Sequence, residues 1–277
     1  MVKSINTTAD VTLEELYKLK EENVDFIEVN EKNYSRYSID KFIEIKKAIN
    51  DFIKNVPKDD VNDSDAQKKI FSFIYTKMAY LIKYDEVACM ACDYTGYERD
   101  MSQDVVERAS NLEGALLNGK ALCLGYSVTL KSLLAELGIE SKVVCGGNRK
   151  NRHAWNQVKL DGKWYHCDIT NDAAFILEGL VAPHFLKSTK DCTRVTMYPT
   201  DVDALKESLE SVDDEKQYDF IFDARKTVLE EMEAKRIEDE NFARQKAEEE
   251  KRSKRPKFVN KILDMLENLK GNEKGAE

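Results

Sequence analysis

The chain has 277 residues, 42% of them hydrophobic and 34% charged, with 4 prolines, a composition that supports a buried core beneath a helix-rich surface and excludes disorder throughout. A formal net charge of −9 opposes a polyanionic partner, so nucleic acid is set aside. No apolar run reaches the ~18 residues that span a bilayer, and Met1 to Asp10 lacks the apolar stretch of a secretory signal, so the expectation is a cytoplasmic protein with no membrane span.

The first third reads as helical. Thr12 to Glu22, Ile39 to Val56 and Ala66 to Ile82 repeat apolar residues at three- and four-residue steps, and Phe42, Ile45, Ile49, Phe52 and Ile53 share one face. Polar, acidic Pro57 to Asp65 is a boundary that offers Ser64 or Asp65 as a cap for the third helix. The chain then divides into an N-terminal helical segment at 1–58, a central domain at 59–200 and a charged helical tail at 201–277.

The central domain changes character. A helix is predicted from about Cys123 to Leu137, with Tyr126, Leu130, Leu133, Leu134 and Leu137 as an apolar stripe and Gly138 as its stop. Three strand-like runs follow at Ser141–Cys145, His153–Leu160 and Lys163–Asp168, which makes the class α+β. The tail is charged helix from Ala224 to Arg255, a coiled-coil-like pattern with a thin stripe of Val228, Leu229, Met232 and Ile237. Pro256 interrupts it, Phe258 to Leu269 forms a short amphipathic helix, and Gly271 to Glu277 frays. The tail is therefore available for self-association or for a protein partner. Five basic residues in Lys251 to Lys257 are diluted by the surrounding acids and read as a solvated helix break.

Six cysteines (89, 92, 123, 145, 167 and 192) without a secretion signal are expected as reduced thiols. Cys89 and Cys92 form a CxxC, but a tetrahedral zinc site needs a second pair and none exists, so no metal and no cofactor is assigned.

Cys123 stands out because a helix N-terminus and a neighbouring imidazolium both favour the thiolate, and it follows the turn-like Asn118-Gly119-Lys120 at the start of its helix. Its partners come from a hairpin. Asp161-Gly162 between two alternating runs is a strong two-residue turn signal that pairs Leu160 with Lys163. In that register Asp168 falls opposite Trp155, with His153 one diagonal step away on the same face, a backbone separation of roughly 7–8 Å. His166 shares that face but lies mid-hairpin opposite Gln157, whereas His153 opens its strand directly after the loop from Gly146 to Arg152. His184 has no comparable context and reads as an ordinary, partly buried histidine.

Three ordered segments carry a family resemblance: Gly119-Lys120-Ala121-Leu122-Cys123-Leu124-Gly125-Tyr126-Ser127, then His153-Ala154-Trp155-Asn156, then Asp161-Gly162-Lys163-Trp164-Tyr165-His166-Cys167-Asp168-Ile169-Thr170. Together they resemble bacterial transglutaminase-like proteins of the papain-like superfamily, over roughly Asp65 to Asn171 and including Tyr84-Asp85. The resemblance implies a papain-like core of helices packed on a small antiparallel sheet, with Cys123 as nucleophile, His153 as base and Asp168 as orienter. It implies cysteine-dependent acyl transfer on amide or peptide bonds of a protein or peptide substrate, as protease, glutamine deamidase or transglutaminase. Peptide N-glycanases share the triad but bring paired CxxC motifs, which this chain lacks. The family often continues after the aspartate with Thr-Trp-Asp; here Asn171 and Asp172 follow Thr170, and Cys167 beside Asp168 is also unusual. Asn118 is a candidate oxyanion donor beside the Cys123 N–H, its alternative being a simple turn residue. Trp155 and Trp164 are candidates to line a substrate groove, or to pack within the hairpin. The competing reading is a catalytically silent domain that acts as a protein-binding scaffold; an intact Cys, His and Asp set argues against it.

Overall fold

The computed structural model describes residues 1–30, 35–56, 65–93, 101–147, 152–195, 207–208 and 210–254. The expected boundaries at 58/59 and 200/201, the centre of the Gly146 to Arg152 loop, and the Phe258 to Leu269 segment lie outside the described residues. The chain separates into two compact units, Met1–Val228 and Leu229–Glu277.

The first unit opens with β1 (Val2–Ile5), a 3₁₀ turn at Thr8–Asp10, α1 (Leu13–Glu21), β2 (Phe26–Val29), β3 (Ser35–Ser38) and α2 (Ile39–Ile53). β1 pairs parallel with β2, and β2 antiparallel with β3. The N-terminal segment is thus not purely helical. Each strand has only four residues, too short for alternation to separate it from loop, and the sheet is recovered only by long-range pairing. Both helices start where the sequence supplies a cap. Thr12 and Glu15 close a capping box on α1, and the Ser38 hydroxyl accepts the Lys41 N–H on α2.

Next come α3 (Ala66–Leu81), β4 (Lys83–Tyr84), α4 (Glu86–Asp93), α5 (Met101–Ala109), α6 (Leu112–Leu117), β5 (Lys120–Ala121) and α7 (Cys123–Glu136). Asp65 occupies the N-cap of α3, but its carboxylate binds Lys68 at 2.9 Å instead of the helix N–H groups. α7 is more deeply placed than a single apolar stripe implies. Ser127, Thr129 and Ser132 are buried along with Leu130, Leu133 and Leu134, because the helix packs against α3 and α6 as well as the main sheet. A buried ion pair of Lys46 with Glu136, at 2.6 Å, ties its C-terminal end to α2, and the same ammonium donates to the Thr8 carbonyl.

The main sheet has the order β6-β7-β8, all antiparallel, from β6 (Ser141–Gly147), β7 (Arg152–Leu160) and β8 (Lys163–Cys167). The hairpin register is the one the turn residues dictate: Leu160 faces Lys163 and Gln157 faces His166, and Asp161 and Gly162 both have positive φ. The ladder stops at Asn156 and Cys167, however, so Asp168 is not a strand residue. It is the N-cap of α8 (Ile169–Glu178). α9 (Thr189–Val195) and α10 (Asp214–Ser253) follow.

One core runs through this unit, from Ile27 and Ile45 through Phe71, Leu133 and Val158 to Ile221 and Val228. Each such fully buried side chain contributes about 1.5–3 kcal/mol. Gln217, Ile221, Ala224 and Val228 line one buried face of α10, and Arg225 donates to the Tyr80 hydroxyl at 2.7 Å and the Leu177 carbonyl at 2.9 Å. The first turns of the charged helix are therefore core and not tail.

In the second unit the described residues are helical and solvated. Leu229, Met232, Ile237 and Phe242 are exposed, and Arg236 pairs with Glu233 and Glu240 one turn away on either side. Among the described residues no helix is long and apolar enough to cross a membrane.

Candidate active site

Cys123 is the first residue of α7, preceded by Leu122 in extended conformation as N-cap. Two contacts hold that entry. β5 pairs parallel with β4, and the Leu122 N–H donates to the Ala109 carbonyl at 2.7 Å. Gly125 is required there, since a Cβ would fall on that same carbonyl oxygen. The sulfur is half-buried and receives the backbone N–H groups of Leu124, in the first turn of α7, and of Ala154, on β7. It also hydrogen-bonds the His153 imidazole. Burial works against the thiolate, but the hydrogen bond and charge of His153 with the two N–H groups outweigh it, and the Cys123 thiol is held below its ordinary value. Elsewhere burial acts unopposed: it pushes Cys167 well up and Cys192 up to about 12.

His153 lies near the start of β7, beyond the last rung that β7 shares with β8. Its Nε2 is 2.6 Å from Asp168 Oδ2, which leaves Nδ1 as the nitrogen toward Cys123. Burial disfavours the imidazolium, yet the bonds to Asp168 and Cys123 and their charges raise its pKa to about 10. Asp168 reaches this position through its cap. One carboxylate oxygen accepts the Asn171 backbone N–H at 3.3 Å, and the other accepts the Asn171 side-chain amide at 2.6 Å beside His153. The Asn171 amide nitrogen is 3.5 Å from His153 Nε2. Where the resembled pattern has an aromatic ring, this chain puts a donor on the carboxylate. Its signal in the sequence was its place three residues after Asp168, the position an N-cap side chain reaches.

His166 is held away from the sulfur. Its Nδ1 accepts the Trp155 Nε1–H at 3.0 Å, so Nε2 carries the proton and donates it to Thr189 Oγ1 at 3.3 Å. Burial lowers its pKa to about 4, which keeps it neutral. Trp155, 2% exposed, stacks on His153 with ring centroids 6.2 Å apart. It is a buried wall between two histidines and not the lining of an open groove. Trp164 is half-buried at the hairpin, with the Lys142 ammonium 5.5 Å from its ring centroid. Asn118 is the exposed C-cap of α6, its N–H donating to the Glu113 carbonyl at 3.2 Å, and Gly119 after it has a φ of 63°. Those are the contacts of a turn residue.

His184 is more than an isolated histidine. Its Nδ1 and its backbone N–H bind Asp172 Oδ1 at 3.0 and 2.9 Å. Sequence reasoning missed this pair, because its members lie in different elements.

Tyr84, which belongs to the Tyr84-Asp85 pair ahead of the cysteine motif, lies on β4. Its hydroxyl, 3.5 Å from the Cys89 sulfur, lies in the field of Cys123, and burial together with these thiols raises its pKa well above the usual phenol value. Among the described residues no three metal-ligating side chains converge.

A family model of the transglutaminase-like superfamily, in which catalysis is generally cysteine-based, matches residues 54–169. The protein is transglutaminase-like over that span. A solved structure described as the crystal structure of a TGase is 23% identical, with a TM-score of 0.38, over 57% of this chain and 37% of that one. This chain therefore spans well under half the length of that protein. No curated protein matches the chain.

Proposed function

We propose that the protein is a cysteine-dependent enzyme of amide acyl transfer, with Cys123 as nucleophile, His153 as acid and base, and Asp168 as orienter. The observation that carries this reading is the continuous chain of contacts from the Cys123 sulfur through the His153 imidazole to the Asp168 carboxylate, at the N-terminus of a buried helix. The thiolate attacks the carbonyl carbon of a peptide or glutamine amide. As the carbon–sulfur bond forms and the carbon–nitrogen bond breaks, His153 delivers its proton to the leaving nitrogen. Water or an amine then gives a proton to His153 and attacks the thioester, and the thiolate returns.

The oxyanion formed in each half-reaction needs donors near the sulfur. The Cys123 N–H is one by position, and Tyr84 is a second candidate beside Asn118, since its hydroxyl, which donates to the Cys89 sulfur, lies within electrostatic range of Cys123 and stays protonated. The substrate is a protein or peptide, and the tail from Leu229 onward serves association and not chemistry.

Intact-mass analysis after incubation with casein, with and without a primary amine, tests the reading. A shorter chain, a deamidated glutamine or an amine conjugate identifies hydrolysis, deamidation or cross-linking, and each must vanish in C123A. Unchanged casein in every condition, or product that persists in C123A, contradicts it; unchanged casein is the result a binding scaffold gives.

A further inference from the structure

One turn beyond Asp168 lies a second carboxylate that the proposed chemistry does not use. Asp172 is fully buried, and each of its oxygens is occupied: Oδ1 accepts the His184 backbone N–H at 2.9 Å and His184 Nδ1 at 3.0 Å, and Oδ2 accepts the Tyr75 hydroxyl at 2.8 Å. Tyr75 belongs to α3 and is itself buried, while His184 belongs to the segment between α8 and α9. The Asp172 N–H donates to the Asp168 carbonyl at 3.0 Å, so the two residues are rigidly joined within the first turn of α8.

A buried carboxylate with three donors from two other elements is an anchor, because withdrawing it would leave both the charge and the donors unsatisfied. What this anchor fixes is the first turn of α8, and the business end of that turn is the Asp168 carboxylate against His153. We infer that Asp172, held by Tyr75 and His184, is a positioning residue for the reaction centre: it pins the turn that aims Asp168 at His153 and so maintains the Cys123 thiolate at low pH. The inference rests on the proposed triad. The ionisable groups facing Asp172 are Tyr75 from α3, Cys167 from β8, Asp168 from its own turn and His184; His153 lies beyond Asp168. Burial works against the His184 imidazolium, yet its bonds and charge pairing with Asp172 hold His184 above its ordinary value, while burial raises Asp172. The route from Asp172 to Cys123 that the geometry offers is the shared first turn of α8, through Asp168 and His153.

The test is the pH dependence of Cys123 alkylation by iodoacetamide, resolved by peptide mapping on the full chain, in wild type, H153A, D172N, Y75F and I176V. Ile176 is a fully buried residue of the same helix that touches neither carboxylate through hydrogen bonds, so I176V reports loss of stability alone. Thermal unfolding of each variant shows that it is folded at the assay temperature. A misaimed orienter should move the alkylation midpoint of D172N and Y75F upward, as in H153A, lowering the rate at about pH 6 by about tenfold, while I176V lowers the melting temperature and keeps the wild-type midpoint. Y75F keeps the carboxylate and serves if D172N does not fold. Folded Y75F and D172N with the wild-type midpoint would overturn the inference, as would an equal shift in I176V. A midpoint that H153A itself leaves unmoved would overturn the triad and the inference with it.

Discussion

Nε2 of His153 lies 2.6 Å from Oδ2 of Asp168, although the two residues share no strand pairing. The carboxylate gets there as the N-cap of α8, a position that asparagine fills as well as aspartate does. D168N should therefore keep the cap and fold, less stably than wild type because the pairing with the His153 imidazolium is lost, and should lose the histidine's orientation, which in a comparable triad costs about 10⁴-fold in kcat. D168A should add a loss of about 1 kcal/mol in stability from the missing cap. Activity and thermal unfolding on the same samples separate the two effects; an active D168N contradicts the assignment.

His153 and His166 should differ in kind when replaced. H153A removes the cation that holds the thiolate and should abolish turnover. H166A removes a neutral histidine buried against Trp155, and its main cost is stability, about 1–3 kcal/mol from the orphaned indole N–H. Turnover measured well below each variant's melting temperature checks this, and the reverse ranking would exchange the roles.

Asn171 is exposed, so its replacement should leave the fold intact. N171A removes the 2.6 Å donor and frees the Asp168 carboxylate to rotate, and turnover should fall by about tenfold. N171D sets a second carboxylate against the first and should fall further. A kcat/KM comparison of the two variants at matched pH is the measurement, and wild-type rates in both would show that the amide is incidental.

The border between body and tail is expected inside α10. A chain ending at Val212 loses the buried Gln217, Ile221, Ala224 and Val228 and the Arg225 bonds to Tyr80 and Leu177, so it should unfold or melt far below the full chain. A chain ending at Ala234 keeps them, and should be folded and as active as the full protein. I221A tests the same contact more gently, at a cost of about 2–5 kcal/mol. Thermal melts decide the matter, and a stable chain ending at Val212 would return those turns to the tail.

The helix that begins at Cys123 and the hairpin were legible because each has a local cause. A helix start precedes Cys123, Asp161-Gly162 selects one turn, and the turn sets the register of His153 and His166. Asp168 meets His153 as a cap and not from the strand position opposite Trp155 that the register suggested, since the sequence does not mark where a ladder ends and a cap begins. The N-terminal strands stayed hidden because four residues carry no resolvable period. The buried start of α10 was hidden by its charge, as Gln217, Ile221, Ala224 and Val228 form a stripe only one residue wide. The partners of Asp172 come from different elements, and no spacing along one chain announces them.

In the proposed mechanism Cys123 is a thiolate paired with the His153 imidazolium. The sign follows from the two shifts: Cys123 is held below its ordinary value and His153 is raised to about 10, so the ion pair exists between those limits. It is lost as pH falls through the Cys123 value, when the sulfur is protonated, and as pH rises through about 10, when the imidazolium gives up its proton. Its contribution to stability follows the same window. The most direct measurement is limiting iodoacetamide alkylation of all six cysteines at about pH 6, mapped by peptide, in wild type and H153A. Cys123 should react first in wild type and lose that lead in H153A; prior reaction of Cys89, Cys92 or Cys145, or a Cys123 rate that H153A leaves unchanged, would contradict the claim.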